Sequence, residues 1–239
     1  MARGALERAA RLLERLGEDK AEPTVPELAG EAGVPTSTAY RLLAELEQYG
    51  LVERRADGTV VLGARMVVLG RTAQESLRRR LVDPARRPME RLTEAVGETT
   101  ILTVPCGLEV IVLHAVETER HSVRLSYALY RRAPIHRGAS GKILAAHLET
   151  AERERLVQAV DGTTLAAELA EIQRDGVAMT TGELDPGAAA VAAPILDRRG
   201  EISAGLSIAG PVGRITAERE SLRESVIACA AMIQRAYQG

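Results

Sequence analysis

Residues 35–50, with the sequence PTSTAYRLLAELEQYG, predict a short helix that has two different faces. At about 100° per residue, one face collects the apolar side chains of Ala39, Leu42, Leu43 and Leu46. The other face collects small, polar and basic side chains, those of Ser37, Tyr40, Arg41, Ala44 and Gln48. Such a face suits a DNA major groove, because small residues let the backbone approach and polar ones reach phosphates or base edges. Most amphipathic helices only pack on a core, so the flanking sequence has to support this hypothesis.

The upstream flank predicts a second, shorter helix and a tight turn. Thr24 and Glu27 have the spacing of a capping box, and Pro26 is tolerated in the first helical turn. Gly33 favours a helix end, and Pro35 forces the preceding residue out of helical geometry. Helix, glycine-containing turn and helix are the parts of a helix-turn-helix motif.

The downstream flank predicts a β-hairpin. Residues 51–55 and 59–62 are β-prone, and Asp57-Gly58 between them is a strong hairpin signal. This hairpin would be the wing of a winged helix-turn-helix, with two arginines placed to meet phosphate or the minor groove. The candidate DNA-contacting residues are Thr36, Ser37, Thr38, Tyr40, Arg41, Arg54, Arg55 and Thr59.

Composition limits the class of protein. With 239 residues, 46% of them hydrophobic, the chain can bury a large core, and we expect two domains. The net charge is −2, and residues 1–80 carry 13 Lys and Arg against 12 Asp and Glu, a net of +1, so charge gives DNA binding little support. Cys106 and Cys229 form no zinc pattern, and we expect two buried free thiols in a reducing compartment. We find no apolar run of membrane-spanning length and expect a soluble, cytoplasmic protein without membrane contact.

Helices are predicted on both sides of the winged motif. Residues 5–16 have apolar side chains at helical spacing and end at Gly17. Residues 63–81 have the composition of a linker helix, which Asp83-Pro84 is predicted to break before a further helix running to Gly97. The predicted boundaries are a DNA-binding domain at 1–63, a linker helix at 64–82 and a second domain at 83–239.

The second domain mixes strands and helices. Strands are predicted at residues 99–104, 108–114, 123–127, 188–196 and 201–209, and helices at 140–148, 151–160, 165–174 and 214–237. Because hairpins outnumber β-α-β crossovers, we predict a mostly antiparallel sheet covered by helices, within an α+β protein.

Several motifs together resemble the IclR family of bacterial transcription regulators. They are LERAA from Leu6, LA…GVPTSTAYRLL from Leu28, YGLVER from Tyr49, H…SGK from His136, GAAAVAAP from Gly187 and SIAGP from Ser207. The resemblance spans almost the whole chain. It implies a winged helix-turn-helix, a linker helix, a GAF-like effector-binding domain, and dimers or dimers of dimers on a palindromic double-stranded operator.

The resemblance also implies an effector site. The backbone N–H groups of Ala139 and Ser140, just after His136, would hold an anionic head group at a helix N-terminus. The matching wall positions are Thr180, Ala190, Ser207 and Ala209, and the aromatic wall would come from Tyr127 and Tyr130. Relatives that bind very small oxo-acids carry an acidic or sulfur-bearing residue and two serines there. Thr180, Ala190 and Ala209 depart from that pattern, which favours a larger acid or amide, including aromatic ones, over a glyoxylate-like ligand.

Other readings of the same residues are weaker. A phosphate-binding loop at Lys142 would need Gly where His136 stands and Ser or Thr where Ile143 stands. Ser140 lacks the Gly two residues later that a hydrolase elbow requires. The histidines have no metal-ligand spacing, so we expect neither a metal nor a cofactor nor a catalytic residue. Two hypotheses remain: a ligand-controlled transcription factor, which is not an enzyme, or a small-molecule-binding or hydrolytic enzyme whose N-terminal helices only dimerise.

Overall fold

The structure is a computed structural model that describes residues 4–18, 22–160 and 163–237. Contacts divide the chain into two units, with the boundary between Glu75 and Ser76. The first unit begins with three helices, α1 (Ala5–Gly17), α2 (Val25–Glu31) and α3 (Thr36–Gln48), followed by strands β1 (Val52–Arg54) and β2 (Val60–Leu62). These bounds agree with the helix-turn-helix and wing predicted from the sequence.

Apolar side chains from all five elements form the core of the first unit. Leu12 of α1, Leu28 of α2 and Leu43 of α3 are each fully buried in it. The predicted capping box is present at the start of α2, where the Glu27 carboxylate accepts from the Thr24 backbone N–H at 2.9 Å. In the wing, β1 and β2 are antiparallel, and Gly58 turns the chain at φ +87°. The capping box of α2 and the Gly58 turn of the wing therefore fix the elements that flank α3.

The helix after the wing is not broken at Asp83-Pro84, so that prediction was wrong. Helix α4 (Ala64–Leu77) runs into a π-helical turn (Arg78–Val82) and then into α5 (Asp83–Val96). At the junction the Asp83 backbone N–H donates to the Arg78 carbonyl, five residues earlier. The wider turn adds a residue just before Pro84, whose missing N–H is then tolerated in the first turn of α5. Gly97, at φ +71°, ends α5 as predicted.

The second unit is built on a six-stranded sheet that is antiparallel at every pairing and has the order β5-β4-β3-β8-β7-β6. Its strands are β3 (Thr99–Cys106), β4 (Glu109–Val116), β5 (Arg132–Pro134), β6 (Ala178–Thr181), β7 (Ala188–Leu196) and β8 (Ile202–Pro211). Its remaining helices are α6 (Gly138–Ala146), α7 (Thr150–Ala159), α8 (Thr163–Asp175), α9 (Val212–Ala217) and α10 (Arg219–Ala236). The predicted antiparallel α+β class is confirmed.

The two faces of the sheet are covered by different helices. One face packs on α5 and α10, and its core includes Met89, Leu206 and Ile233. The other packs on α6 and α8, with Ile143 and Leu169 buried between them. Helix α6 therefore lies against the sheet, and its first turn points at the residues that form the cavity described below.

Residues 123–127 do not form the predicted third strand. Their backbone carbonyls bond to side chains instead of to a neighbouring strand: the Thr99 hydroxyl donates to the Leu125 carbonyl at 2.7 Å, and Arg214 donates to that of Val123 at 3.0 Å. Their alternating apolar pattern has another cause, because Leu125 and Tyr127 pack on a small cluster with Ile101 and Ala209.

Three further boundaries differ from the sequence predictions. Strand β5 at Arg132–Pro134 and strand β6 at Ala178–Thr181 were missed, because both are short and at the sheet edges. The predicted single helix at 214–237 is divided at Glu218. Just before that break the Thr216 hydroxyl donates to the Val212 carbonyl at 2.7 Å, a local bond that competes with regular helix pairing.

The cysteines differ in accessibility, so the expectation of two buried thiols was half wrong. Cys106 is exposed at the β3–β4 turn, while Cys229 is buried on α10, where burial raises the pKa of its thiol to about 11. We expect a disulfide reagent at pH 8 to modify one thiol per native chain, because only a thiolate reacts. Counting thiols before and after unfolding checks this. Two fast-reacting thiols in the native protein, or a native Cys106→Ser variant that still reacts rapidly, would contradict the burial of Cys229.

Candidate DNA interface and ligand pocket

Helix α3 presents the polar face that the sequence predicts. Ala39, Leu42 and Leu43 are buried in the core, and Leu46 is half-buried. The candidate contact residues at the opposite side, Thr36, Ser37, Tyr40 and Arg41, are exposed, while Thr38 is half-buried. The orientation of the helix thus leaves short polar side chains, one tyrosine and one arginine available at the surface of the first unit.

Each of the three arginines predicted to meet DNA is held by a glutamate of the same unit. Arg41 pairs with Glu45 at 2.7 Å along α3. Arg54 forms a two-pronged pair with Glu47 at 2.9 and 2.6 Å, and its hydrogen bonds hold the pKa of Glu47 below the ordinary value. Exposed pairs of this kind contribute only about 0–1 kcal/mol, so a phosphate can replace the glutamate.

The wing residues are similarly engaged. Arg55 pairs with Glu22, which links the wing to the segment three residues before α2. Asp57 accepts from the backbone N–H and the hydroxyl of Thr59 at 3.0 and 2.7 Å, and these bonds lower the pKa of Asp57. The wing is thereby given a defined shape, with Arg54 and Arg55 exposed on it.

The second unit has a small cavity between the start of α6 and strands β6, β7 and β8. Its volume is about 50 Å³, room for a few water molecules at about 10–15 Å³ each. Six of the eight residues predicted for the effector site line it: Tyr127, Ala139, Ser140, Thr180, Ala190 and Ala209. Strand register explains this, since Thr180 pairs with Ala190 and Ala190 pairs with Ala209, so one row across the sheet faces the cavity.

The other residues predicted for the effector site, Ser207, His136 and Tyr130, do not line the cavity. Ser207 is fully buried, and its hydroxyl shares a 2.7 Å hydrogen bond with that of Ser140. His136 precedes α6 and does not line the cavity. Tyr130, whose backbone has φ +64°, is also outside the lining. The partner of Ser140 is a hydroxyl and not an imidazole or carboxylate, so this pair lacks the base that a nucleophilic serine needs.

A loop that sequence reasoning missed closes the cavity. We call residues 182–187, between β6 and β7, the closing loop; it contributes Gly182, Glu183, Leu184 and Asp185 to the lining. Leu184 lies over Gly138, where an added Cβ would be 2.7 Å from the leucine Cδ1 and the backbone has φ +72°. The signal in the sequence was the stretch ELDPG at residues 183–187, before β7, which by itself predicts only a turn.

Glu183 of the closing loop reaches the start of α6. Its carboxylate accepts from the Gly138 backbone N–H at 2.9 Å and from the Lys142 ammonium at 2.6 Å. Lys142 also donates to Glu168 of α8 at 2.6 Å and is only 6% exposed. Burial acts to lower the pKa of Lys142, but its hydrogen bonds to Glu168 and Glu183 outweigh burial and keep that pKa above its ordinary value.

Tyr127 forms the aromatic wall on the other side. Burial raises the pKa of its phenol, and the negative charge of Asp185 adds to that effect. The Arg131 guanidinium lies over its ring, 5.6 Å from the centroid. The cavity is therefore apolar along Tyr127, Ile101 and the alanines, and charged where the closing loop meets α6.

The described residues offer neither a membrane-spanning helix nor a group of side chains for a metal ion. Over 4–18, 22–160 and 163–237, no helix is both long and apolar enough to cross a bilayer. Over the same residues, no group of three or more His, Cys, Asp and Glu side chains is placed to hold a metal ion.

Fold and sites together define a DNA-binding regulator with a winged helix-turn-helix and a separate ligand-binding unit. Residues 5–56 match the IclR helix-turn-helix domain, and residues 75–235 match the C-terminal domain of bacterial IclR transcriptional regulators. The chain belongs to the IclR family, as its sequence motifs indicated.

Relatives of known name support this assignment. The chain is 29% identical over 250 residues to the transcriptional repressor IclR of Escherichia coli K12, covering 98% of this chain and 90% of the relative. It is 30% identical over 224 residues to the regulator KipR of Bacillus subtilis, covering 89% and 88%.

Solved structures share the fold. An IclR regulator from Silicibacter sp. TM1040 superposes with a TM-score of 0.82 at 23% identity, over 99% of this chain and 97% of the other. An IclR homologue from Microbacterium hydrocarbonoxydans, solved in complex with 4-hydroxybenzoate, superposes with a TM-score of 0.64 at 29% identity, over 98% and 100%.

Proposed function

We propose that this regulator binds a palindromic operator as a dimer through α3 and the wing, and that a small carboxylic acid of about aromatic size controls it from the cavity beside α6. The observation that carries this proposal is the convergence of six predicted effector residues on one cavity. The protein would act in the cytoplasm, where bacterial DNA lies, and by regulation instead of catalysis.

The DNA part of the proposal rests on the exposed face of α3. Ser37, Tyr40 and Arg41 lie within about one helical turn of each other on this face, which fits a helix in the major groove. Arg54 and Arg55 would exchange their glutamate partners for phosphates of the flanking backbone. Because the glutamates compete for the arginines, affinity of a single unit is expected to be low and strongly dependent on salt.

Replacing Arg41 with Ala tests this orientation. If Arg41 reads a base, we expect a loss of about 1–3 kcal/mol in operator binding with thermal stability unchanged. Gel shifts with DNA flanking the gene measure the affinity. Arg198→Ala, which removes an exposed arginine from the β7–β8 turn of the second unit, is the charge-matched control. Equal operator binding by wild type and both variants would show that α3 does not face DNA.

The dimer is supported by exposed apolar side chains in the first unit. Leu6 on α1 is 85% exposed, and Val67 and Val68 on α4 are 72% and 65% exposed. Large exposed apolar side chains on α1 and α4 are the kind that an interface between two copies would cover. Two units on two half-sites would also raise the affinity through effective concentration.

Introducing a charge on α4 tests the dimer. We expect Val68→Glu to shift the protein towards monomer in light scattering at micromolar concentration, since a carboxylate at an apolar interface must be desolvated. Val123→Glu, at a side chain that is 70% exposed in the second unit, should leave the mass unchanged. A wild-type monomer that still bound a palindromic operator specifically would refute the dimer.

The ligand part of the proposal rests on both ends of the cavity. Tyr127, Ile101, Ala190 and Ala209 offer an apolar wall, while the first turn of α6 offers backbone N–H groups and a positive dipole end. Thr180, Ala190 and Ala209 are small, which suits a ligand larger than an oxo-acid of two or three carbons. The 4-hydroxybenzoate bound by the Microbacterium homologue is of the proposed class. Sites for such ligands usually measure about 300–1,000 Å³, so this cavity must widen when one binds.

Filling the cavity tests the ligand site. Ala190→Leu adds three carbons to its wall and should weaken binding of 4-hydroxybenzoate by about 1–3 kcal/mol, or about 5- to 150-fold, while operator binding persists. Calorimetry measures the ligand and gel shifts the operator. Thr181→Leu, an exposed position on β6 outside the lining, is the matched control. Undiminished ligand binding by Ala190→Leu would place the effector site elsewhere.

A further inference from the structure

The closing loop places a carboxylate in the first turn of α6, next to the Ala139 and Ser140 N–H groups expected to face the effector. Glu183 accepts one bond from the Gly138 N–H and one from the buried Lys142 ammonium. Together these two donors form an anion cradle, a term we use for Gly138 N–H and Lys142 Nζ. The cradle matches a carboxylate, since it offers two converging donors, one of them charged, beside a helix N-terminus.

We propose that Glu183 is a tethered competitor that determines which acids act as effectors: a ligand carboxylate must replace that of Glu183 in the anion cradle, and the closing loop leaves the cavity when it does. This inference rests on the proposed effector site and adds the residue that selects the ligand. It differs from a purely structural role, in which the Glu183 bonds would persist with ligand bound.

The geometry of the closing loop favours exchange of the Glu183 carboxylate for that of a ligand over a permanent Glu183 contact. The closing loop is bordered by Gly182, at φ +70°, and Gly187, and its Leu184, Asp185 and Pro186 are exposed. Lys142 keeps Glu168 as a second partner at 2.6 Å, so its charge stays paired while Glu183 is away. Removing the Leu184 side chain from above Gly138 would also enlarge a cavity that is too small for an aromatic acid.

Because Glu183 is tethered to the closing loop, a ligand needs an apolar body in order to displace it. A side chain held on a short segment competes at an effective concentration on the order of millimolar or more. A free acid that offers only its carboxylate therefore does not displace Glu183 at lower concentrations. An acid that also packs on Tyr127, Ile101 and Ala190 gains contacts that Glu183 does not make. The selected class is thus carboxylic acids with an apolar, aromatic-sized body.

Chemical rescue of Glu183→Ala tests the anion cradle directly. The variant leaves the cradle empty, so acetate should raise its thermal unfolding midpoint by about 3 °C relative to chloride at the same ionic strength. Wild type should show no acetate effect, because Glu183 fills the cradle. Glu168→Ala removes a carboxylate from the same ammonium but keeps Glu183 in place, so it should also show none. No acetate effect on Glu183→Ala, or equal effects on all three proteins, would overturn the proposal.

Ligand affinity gives a second measurement that does not depend on truncating the side chain. Glu183→Gln keeps the shape but loses the negative charge and one of the two acceptor oxygens, so it cannot accept from both Gly138 and Lys142, and 4-hydroxybenzoate should bind about tenfold more tightly than to wild type. The uncharged 4-hydroxybenzamide should show no such gain. Weaker binding of 4-hydroxybenzoate to Glu183→Gln would show that Glu183 holds the site together and would overturn the exchange. No binding of 4-hydroxybenzoate to any of these proteins would reject the aromatic-sized effector proposed above, whereas binding to wild type with no gain in Glu183→Gln would reject the exchange alone.

Discussion

The buried ammonium of Lys142 is the interaction on which the ligand-binding unit depends. It joins α6, which carries it, to α8 through Glu168 and to the closing loop through Glu183. Lys142 is only 6% exposed, and a buried ammonium is stable only when paired, so the three segments are held in one arrangement. Because the same carboxylate that pairs with Lys142 also covers the start of α6, the pairing that stabilises the unit also closes its cavity. Stability and ligand access are thereby linked through one side chain.

The DNA-binding unit uses charge in a comparable way. The three arginines predicted to contact DNA, Arg41, Arg54 and Arg55, are each paired with a glutamate, and the net charge of residues 1–80 is only +1. A unit of this kind is not drawn strongly to DNA of any sequence, since non-specific affinity comes mostly from phosphate neutralisation. Exchange of exposed ion pairs costs little, so the affinity of the proposed operator complex would come from base contacts and from a second half-site. Both units thus keep an internal carboxylate where the proposed partner would bring its own anion.

Prediction from sequence succeeded where local chemistry decides the structure. The capping box at Thr24, the Gly33 turn, the Asp57-Gly58 hairpin and the αL end at Gly97 each depend on a few adjacent residues, and all were found. It failed where an irregular turn or a remote group decides the structure. Asp83-Pro84 did not end the helix, because a π turn accommodated it. Residues 123–127 alternate like a strand, yet their carbonyls bond to Thr99 and Arg214. Six residues indicated by the motif resemblance line one cavity, since matching strands keep their register, and their role in effector binding stays a prediction.

The sequence by itself determined the helix-turn-helix, the wing and the antiparallel class of the second unit, because helical and strand periodicity and turn residues act over a few positions. Only the tertiary structure decided that Glu183 lies against Gly138, 45 residues away, and that Lys142 joins two carboxylates from different segments. It likewise decided that Cys106 is exposed while Cys229 is buried. Residue type does not encode such distant pairings. They follow from the register of β6, β7 and β8 and from the packing of α6 on the sheet, which bring the closing loop to the start of that helix.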